Sequence, residues 1–199
     1  DRLLTKLEKE LPDADIIKRI RLDAVLNTAR NTEGVSIIGT DIKREKKVSF
    51  IGDAKVEGSL PEKSGDILIG RAMSEKIGLE LGKKVIISMQ GADGDIASKA
   101  YRIKGIFDAG HKQQEERFVF VTFDSASGLL GIKKGATEIS VVLPVNDIES
   151  DIYSTTAEKL KKVLDEKNSV MSWREVMPAL SSYLDMFDSF MFIWYLVVF

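Results

Sequence analysis

Residues 172–199 place the tightest limit on the fold, because this stretch changes character along its own length. Ser172 and Glu175 stand at capping-box spacing, where hydroxyl and carboxylate each satisfy a free backbone N–H at a helix start, so a helix is expected from Trp173. Trp173, Met177, Leu180, Leu184, Phe187, Phe190 or Met191, and Trp194 then recur at helical spacing and make one apolar stripe, with Ser181, Ser182, Asp185 and Asp188 off it. Pro178 falls in the second turn, where it removes a hydrogen bond and predicts a kink. After Asp188 the polar face ends, and Ser189–Phe199 carries no charge and no Gly, Pro or Asn. A helix apolar all round is buried in a large core or in lipid.

Crossing a bilayer takes about 20 apolar residues, so this run is too short to span and reads as the start of a helix entering a membrane over residues 181–199. Trp194 and Tyr195 suit an interfacial depth. The alternative is a soluble C-terminal helix packed into a core. The chain opens at Asp1 with neither Met nor a signal segment, so on the membrane reading both ends are cut from a longer protein.

The 199 residues suffice for one or two domains. Lys and Arg number 29 against 31 Asp and Glu, a net charge of −2 with the signs interspersed, which argues against nucleic-acid binding. With no Cys, disulfides, thiolate zinc sites and cysteine nucleophiles are excluded.

In chain order, Leu3, Leu4, Leu7 and Leu11 predict a short amphipathic helix closed by Pro12. Residues 15–29 alternate, with Ile20, Leu22, Ala24 and Leu26 on one face and Arg19, Arg21 and Asp23 on the other, which predicts a half-buried strand. Turn chemistry at 31–34 and a strand at 35–40 complete a hairpin. Asp41 is placed to cap a short helix whose Lys43, Arg44, Glu45 and Lys46 read as a solvated face. Residues 52–65 read as a loop and a boundary. Strand 67–69, helix 71–77 stopped by Gly78, and strand 85–89 follow, then a strand over 99–107. A polar loop over 108–116, a strand over 117–123, a helix capped by Asp124 through Leu130, and a strand over 137–143 come next. Asp147 starts a long amphipathic helix, and residues 169–171 form a last short strand. The fold class is α+β with antiparallel pairing dominant.

No motif carries catalysis. Gly65, Gly70 and Gly78 match neither dinucleotide nor P-loop spacing. Asp93 and Asp95 lack the other ligands of a calcium loop, so a hairpin turn is expected. His111 is the single histidine and sits in a polar loop, and the adjacent Glu115 and Glu116 read as a solvated charge run. The expectation is no catalytic residue, no cofactor and no metal.

The succession Gly65-Asp-Ile-Leu-Ile-Gly70, Leu79-Glu-Leu-Gly82, Tyr101-Arg-Ile-Lys-Gly-Ile-Phe107, Val119-Phe-Val-Thr-Phe-Asp-Ser-Ala126, Glu138-Ile-Ser-Val-Val142 and Ser172-Trp-Arg-Glu-Val-Met-Pro178 before an apolar helix resembles the extracytoplasmic domain of MacB/LolC/FtsX-type ABC transporter permeases. The resemblance covers essentially the whole chain. It implies a porter-like α+β subdomain over 1–57 and 111–180, an inserted smaller β-rich subdomain with its own core over 58–110, and a membrane-entering helix over 181–199. It also implies a location on the extracytoplasmic side of the cell membrane and no enzymatic activity in this chain. The partners implied are a cytoplasmic ATP-binding subunit, a second permease copy, and an extracytoplasmic protein or lipoprotein on which ATP-driven movement acts. Trp173, Met177, Pro178 and Leu180 are the coupling-helix residues this reading selects. The alternative function is a membrane-anchored extracytoplasmic binding or scaffold module without transport activity.

Overall fold

The computed structural model describes residues 2–91, 94–132, 135–145, 151–164 and 168–198. They fall into two compact units, one ending at Pro144 and one beginning at Val145.

The first unit contains α1 (Arg2–Glu10), β1 (Asp15–Asn27), β2 (Thr32–Thr40), α2 (Ile42–Val48), β3 (Lys55–Gly58), β4 (Asp66–Gly70), α3 (Arg71–Ile77), β5 (Lys84–Gln90), β6 (Ile96–Asp108), α4 (Lys112–Arg117), β7 (Phe118–Thr122), α5 (Phe123–Leu130) and β8 (Glu138–Val142). The strand pairings close on themselves: β1 pairs β2, β2 pairs β7, β7 pairs β4, β4 pairs β6, β6 pairs β5, and β5 returns to β1. A six-stranded ring leaves no internal edge, and its inward positions must fill their own core. Period-two alternation supplies that filling, with Ile20 and Leu26 of β1, Ile37 of β2, Ile67 of β4, Ile87 of β5 and Val121 of β7 in one buried cluster. Among the described residues only β2–β7 and β4–β6 are parallel; the other pairings are antiparallel, and antiparallel pairing dominates as expected.

The outward positions of β2, β4, β6 and β7 form a second cluster, in which Ile38, Leu68, Phe107 and Phe120 pack with Ile42 of α2 and Ile51. Phe50 sits 5.7–6.1 Å from three neighbouring rings here. A Cβ at Gly39 would collide with the Cβ of Ala126, so the bare backbone of β2 is what lets α5 lie against it.

Stretch 58–110 is therefore not a lobe with a core of its own. Ile67, Val85 and Ile103 share one cluster with Val121 and Leu22, because β4, β5 and β6 are half of the ring. Local corrections follow. The loop at 108–116 contains α4, and Thr122, not Asp124, caps α5 through Ser125 N–H. No strand forms at 169–171. Helix 71–77 with Gly78 left-handed at φ 66°, and the Asp41 cap on Lys43 and Arg44, match expectation.

The second unit holds α6 (Ile152–Val163), α7 (Trp173–Val176) and α8 (Pro178–Val198). Asp147, the expected start of the long helix, lies outside the described residues.

Candidate functional site

Trp173, Met177, Pro178 and Leu180, the residues selected from the sequence as a coupling helix, sit at a break between two helices. Ser172 N–H donates to Glu175 Oε2 at 2.7 Å, forming the expected capping box. Glu175 also accepts from Lys161 at 3.3 Å, and Lys161 bonds Glu158 at 3.0 Å, which ties α6 to α7. The backbone donor at Ser172 and then Lys161 hold the Glu175 carboxyl below its usual range, while Glu158 and Glu175 push the Lys161 amine up.

The helix predicted to run on from Trp173 does not. Met177 adopts φ −124° and ψ 66°, ending α7 after a single turn, and Pro178 opens α8 at the first helical position, where its missing N–H is no loss. Proline here starts a helix instead of kinking one. Arg174, which the apolar periodicity had passed over, bridges the break: its guanidinium lies 4.8 Å from the Trp173 ring centroid and reaches Ser181 Oγ at 3.1 Å and Asp185 Oδ1 at 2.9 Å.

Trp173 is half-buried, but Met177 and Leu180 are 47% and 39% exposed, so the stripe expected to be packed stands open. Farther along α8, Tyr183, Met186, Phe187, Phe190, Trp194 and Tyr195 are all exposed. Exposed apolar surface in that concentration marks a contact surface. Among the described residues no helix is long and apolar enough to cross a membrane.

In the first unit, an ion network joins three elements. Arg19 of β1 makes a two-pronged contact with Glu45 of α2, both bonds 2.8 Å, and reaches Glu138 of β8 at 2.9 Å. Thr40 Oγ1 adds a bond to Glu45 at 3.4 Å, and Arg21 reaches the other Glu138 oxygen at 3.5 Å. Burial pulls the Arg19 pKa down, but hydrogen bonds to Glu45 and Glu138 outweigh it and the net shift is upward. Glu45 is buried, contrary to the solvated face expected of residues 43–46. Glu115 is likewise buried: its carboxylate accepts from Ala109 N–H at 2.9 Å and Ala72 N–H at 3.1 Å, fixing the start of α3.

Where β2 and β7 end, a groove of about 550 Å³ opens with Ile17, Ile42 and Phe123 in its wall and Lys18, Asp41, Glu62 and Asp124 also lining it. Charges of both signs line it. His111 is exposed at the start of α4, and among the described residues no group of three or more His, Cys, Asp or Glu could hold a metal; Asp93 lies outside them.

No family model matches the chain, and no curated protein matches it. Solved structures do. The extracellular domain of the noncanonical ABC-type transporter YknZ from Gram-positive bacteria superposes with a TM-score of 0.55 at 17% identity, covering 86% of this chain and 88% of that one. The periplasmic region of MacB from Actinobacillus actinomycetemcomitans superposes with a TM-score of 0.48 at 15% identity, covering 74% and 66%. The likeness to extracytoplasmic domains of ABC permeases suggested by the sequence thus holds in the fold.

Proposed function

We propose that this chain is the extracytoplasmic domain of a MacB/LolC/FtsX-type ABC transporter permease and that it passes ATP-driven movement of membrane helices to an extracytoplasmic protein or lipoprotein. The observation that carries the reading is the likeness in fold to the YknZ extracellular domain over nearly the whole of both chains. ATP hydrolysis belongs to a separate cytoplasmic subunit, and a second permease copy completes the membrane part. The exposed aromatic and aliphatic side chains of α8 support a helix that enters lipid or meets other membrane helices. Trp173, Met177, Pro178 and Leu180, with Arg174 spanning the break, form the joint through which displacement of α8 reaches α7 and, through Glu175 and Lys161, α6.

The test uses the full-length protein in its native membrane. An ATP-binding subunit should co-purify, and, with any Cys outside these 199 residues replaced, a membrane-impermeant maleimide should label Ile96→Cys on intact cells, since Ile96 is 82% exposed and these 199 residues contain no Cys. Labelling only after lysis places the domain on the wrong side of the membrane. Labelling without a co-purifying subunit favours the scaffold module.

A further inference from the structure

A polar cluster unrelated to coupling lies beside the start of α5. Lys99 occupies an inward-facing register on β6, two residues before the buried Tyr101, and is half-buried. Its Nζ is 2.7 Å from Ser64 Oγ, 3.0 Å from Ser125 Oγ and 5.3 Å from the Tyr101 ring centroid. Ser125, fully buried, donates to the Ser64 carbonyl and stands 2.9 Å from the Tyr101 hydroxyl. Among the described residues no carboxylate pairs with the ammonium, and burial lowers the Lys99 pKa. Burial likewise raises that of Tyr101, against the opposing hydrogen bond from Ser125.

The loop carrying Ser64 is pinned. Asp66 Oδ2 accepts from Lys63 N–H at 3.0 Å, Asp66 N–H donates to Lys63 O at 2.9 Å, and Gly65 O accepts from Arg102 N–H at 2.8 Å. Ser64 itself is exposed, and a Cβ built on Gly65 meets nothing within 4 Å, so an incoming molecule has open access to both.

We propose that Ser64 is a nucleophile activated by Lys99, and that the site takes carboxylic esters with a good leaving group. An exposed hydroxyl, an amine at hydrogen-bond distance and a third group orienting the amine are the parts such chemistry needs. In its deprotonated form Lys99 accepts the Ser64 proton as Oγ bonds to the acyl carbon. The carbon–oxygen bond to the leaving group then breaks, and the leaving oxygen takes the proton from Nζ. Water repeats the sequence on the acyl-serine, Lys99 again carrying the proton, and the products are an alcohol, a carboxylic acid and regenerated Ser64. Gly65 N–H, on the residue after the nucleophile, is the backbone donor this proposal assigns to the developing oxyanion. Ser125 is a positioning residue that holds the amine over Tyr101.

The experiment treats the chain with a fluorophosphonate probe and, separately, with p-nitrophenyl acetate. The expected result is one adduct, mapped to Ser64 by mass spectrometry, and ester hydrolysis whose rate rises with pH around a midpoint below that of an ordinary lysine. Ser64→Ala should abolish labelling. Lys99→Met should lower hydrolysis by about 10²-fold or more, the usual contribution of a positioned base. Lys99→Arg keeps the charge without a usable base and should lose as much, which covers the case of Lys99→Met failing to fold. Ser125→Ala should shift the pH midpoint. No adduct on Ser64, or hydrolysis unchanged in Ser64→Ala, overturns the proposal and leaves Lys99 a structural amine.

Discussion

Replacing Arg19 by Met removes the donors that hold Glu45, and the geometry sets the cost. The Glu45 side chain is 2% exposed and that of Arg19 11%, so the carboxylate left behind has no route to water and keeps only the Thr40 hydroxyl at 3.4 Å. Breaking a buried pair from one side costs about 3–5 kcal/mol. The contact to Glu138 adds little, because that carboxylate is 33% exposed and such pairs contribute about 0–1 kcal/mol. Natural domains have about 5–15 kcal/mol of stability, so Arg19→Met should remove about a fifth of it or more. The assay is urea unfolding followed by far-ultraviolet circular dichroism, with the slope checked for constancy. Arg19→Met with Glu45→Leu removes both charges and should cost clearly less than Arg19→Met alone. A loss under about 1 kcal/mol for Arg19→Met, or strict additivity in the double variant, would refute the claim that burial makes this pair matter.

Gly39→Val should destabilise by about 1–3 kcal/mol in the same assay, since the added side chain meets Ala126 across a packed contact. Glu175 has a depressed folded pKa, so its stabilisation of the Ser172 cap is present above the ordinary carboxylate pKa and is lost as pH falls through the lowered one. The protection factor of the Ser172 amide, the exchange rate of an unstructured amide at the same pH divided by its own, should fall over that window, and Glu175→Gln should remove that pH dependence of protection. Trp173→Ala with Leu180→Ala should leave the isolated chain folded with little change in unfolding midpoint, because Leu180 is already 39% exposed and Trp173 half-buried. In the full transporter the same double change should leave ATP hydrolysis intact while uncoupling it from extracytoplasmic work.

Elements whose signals are local match the sequence pattern. Strand 66–70, helix 71–77 and its left-handed Gly78 carry their signals within a few residues of one another. Ring closure could not be read, because alternation says which side chains share a face but not that Ser36 pairs with Phe118 or Ile67 with Ile103. Glu45 and Glu115 lie in charge runs that average to a solvated surface. Each is buried because its partner comes from elsewhere in the fold, Arg19 for one and Ala72 N–H for the other. At Pro178, a kink and a fresh helix start look alike in sequence, and only the backbone of Met177 distinguishes them. The apolar stripe of the last helix was legible as a stripe, whereas what covers it depends on a partner. The Ser64, Lys99 and Ser125 cluster gave no sequence signal, being assembled from a loop, a strand and a helix start far apart in the chain.

The most direct measurement is a distance across the joint in the complete transporter. Spin labels at Ile96→Cys and Tyr183→Cys, both exposed positions, report on the two compact units in a chain that has no Cys of its own. With the permease and its ATP-binding subunit in lipid, the interlabel distance distribution should differ between the nucleotide-free and ATP-trapped states. Superimposable distributions, while ATP is being hydrolysed, would contradict transmission through this domain.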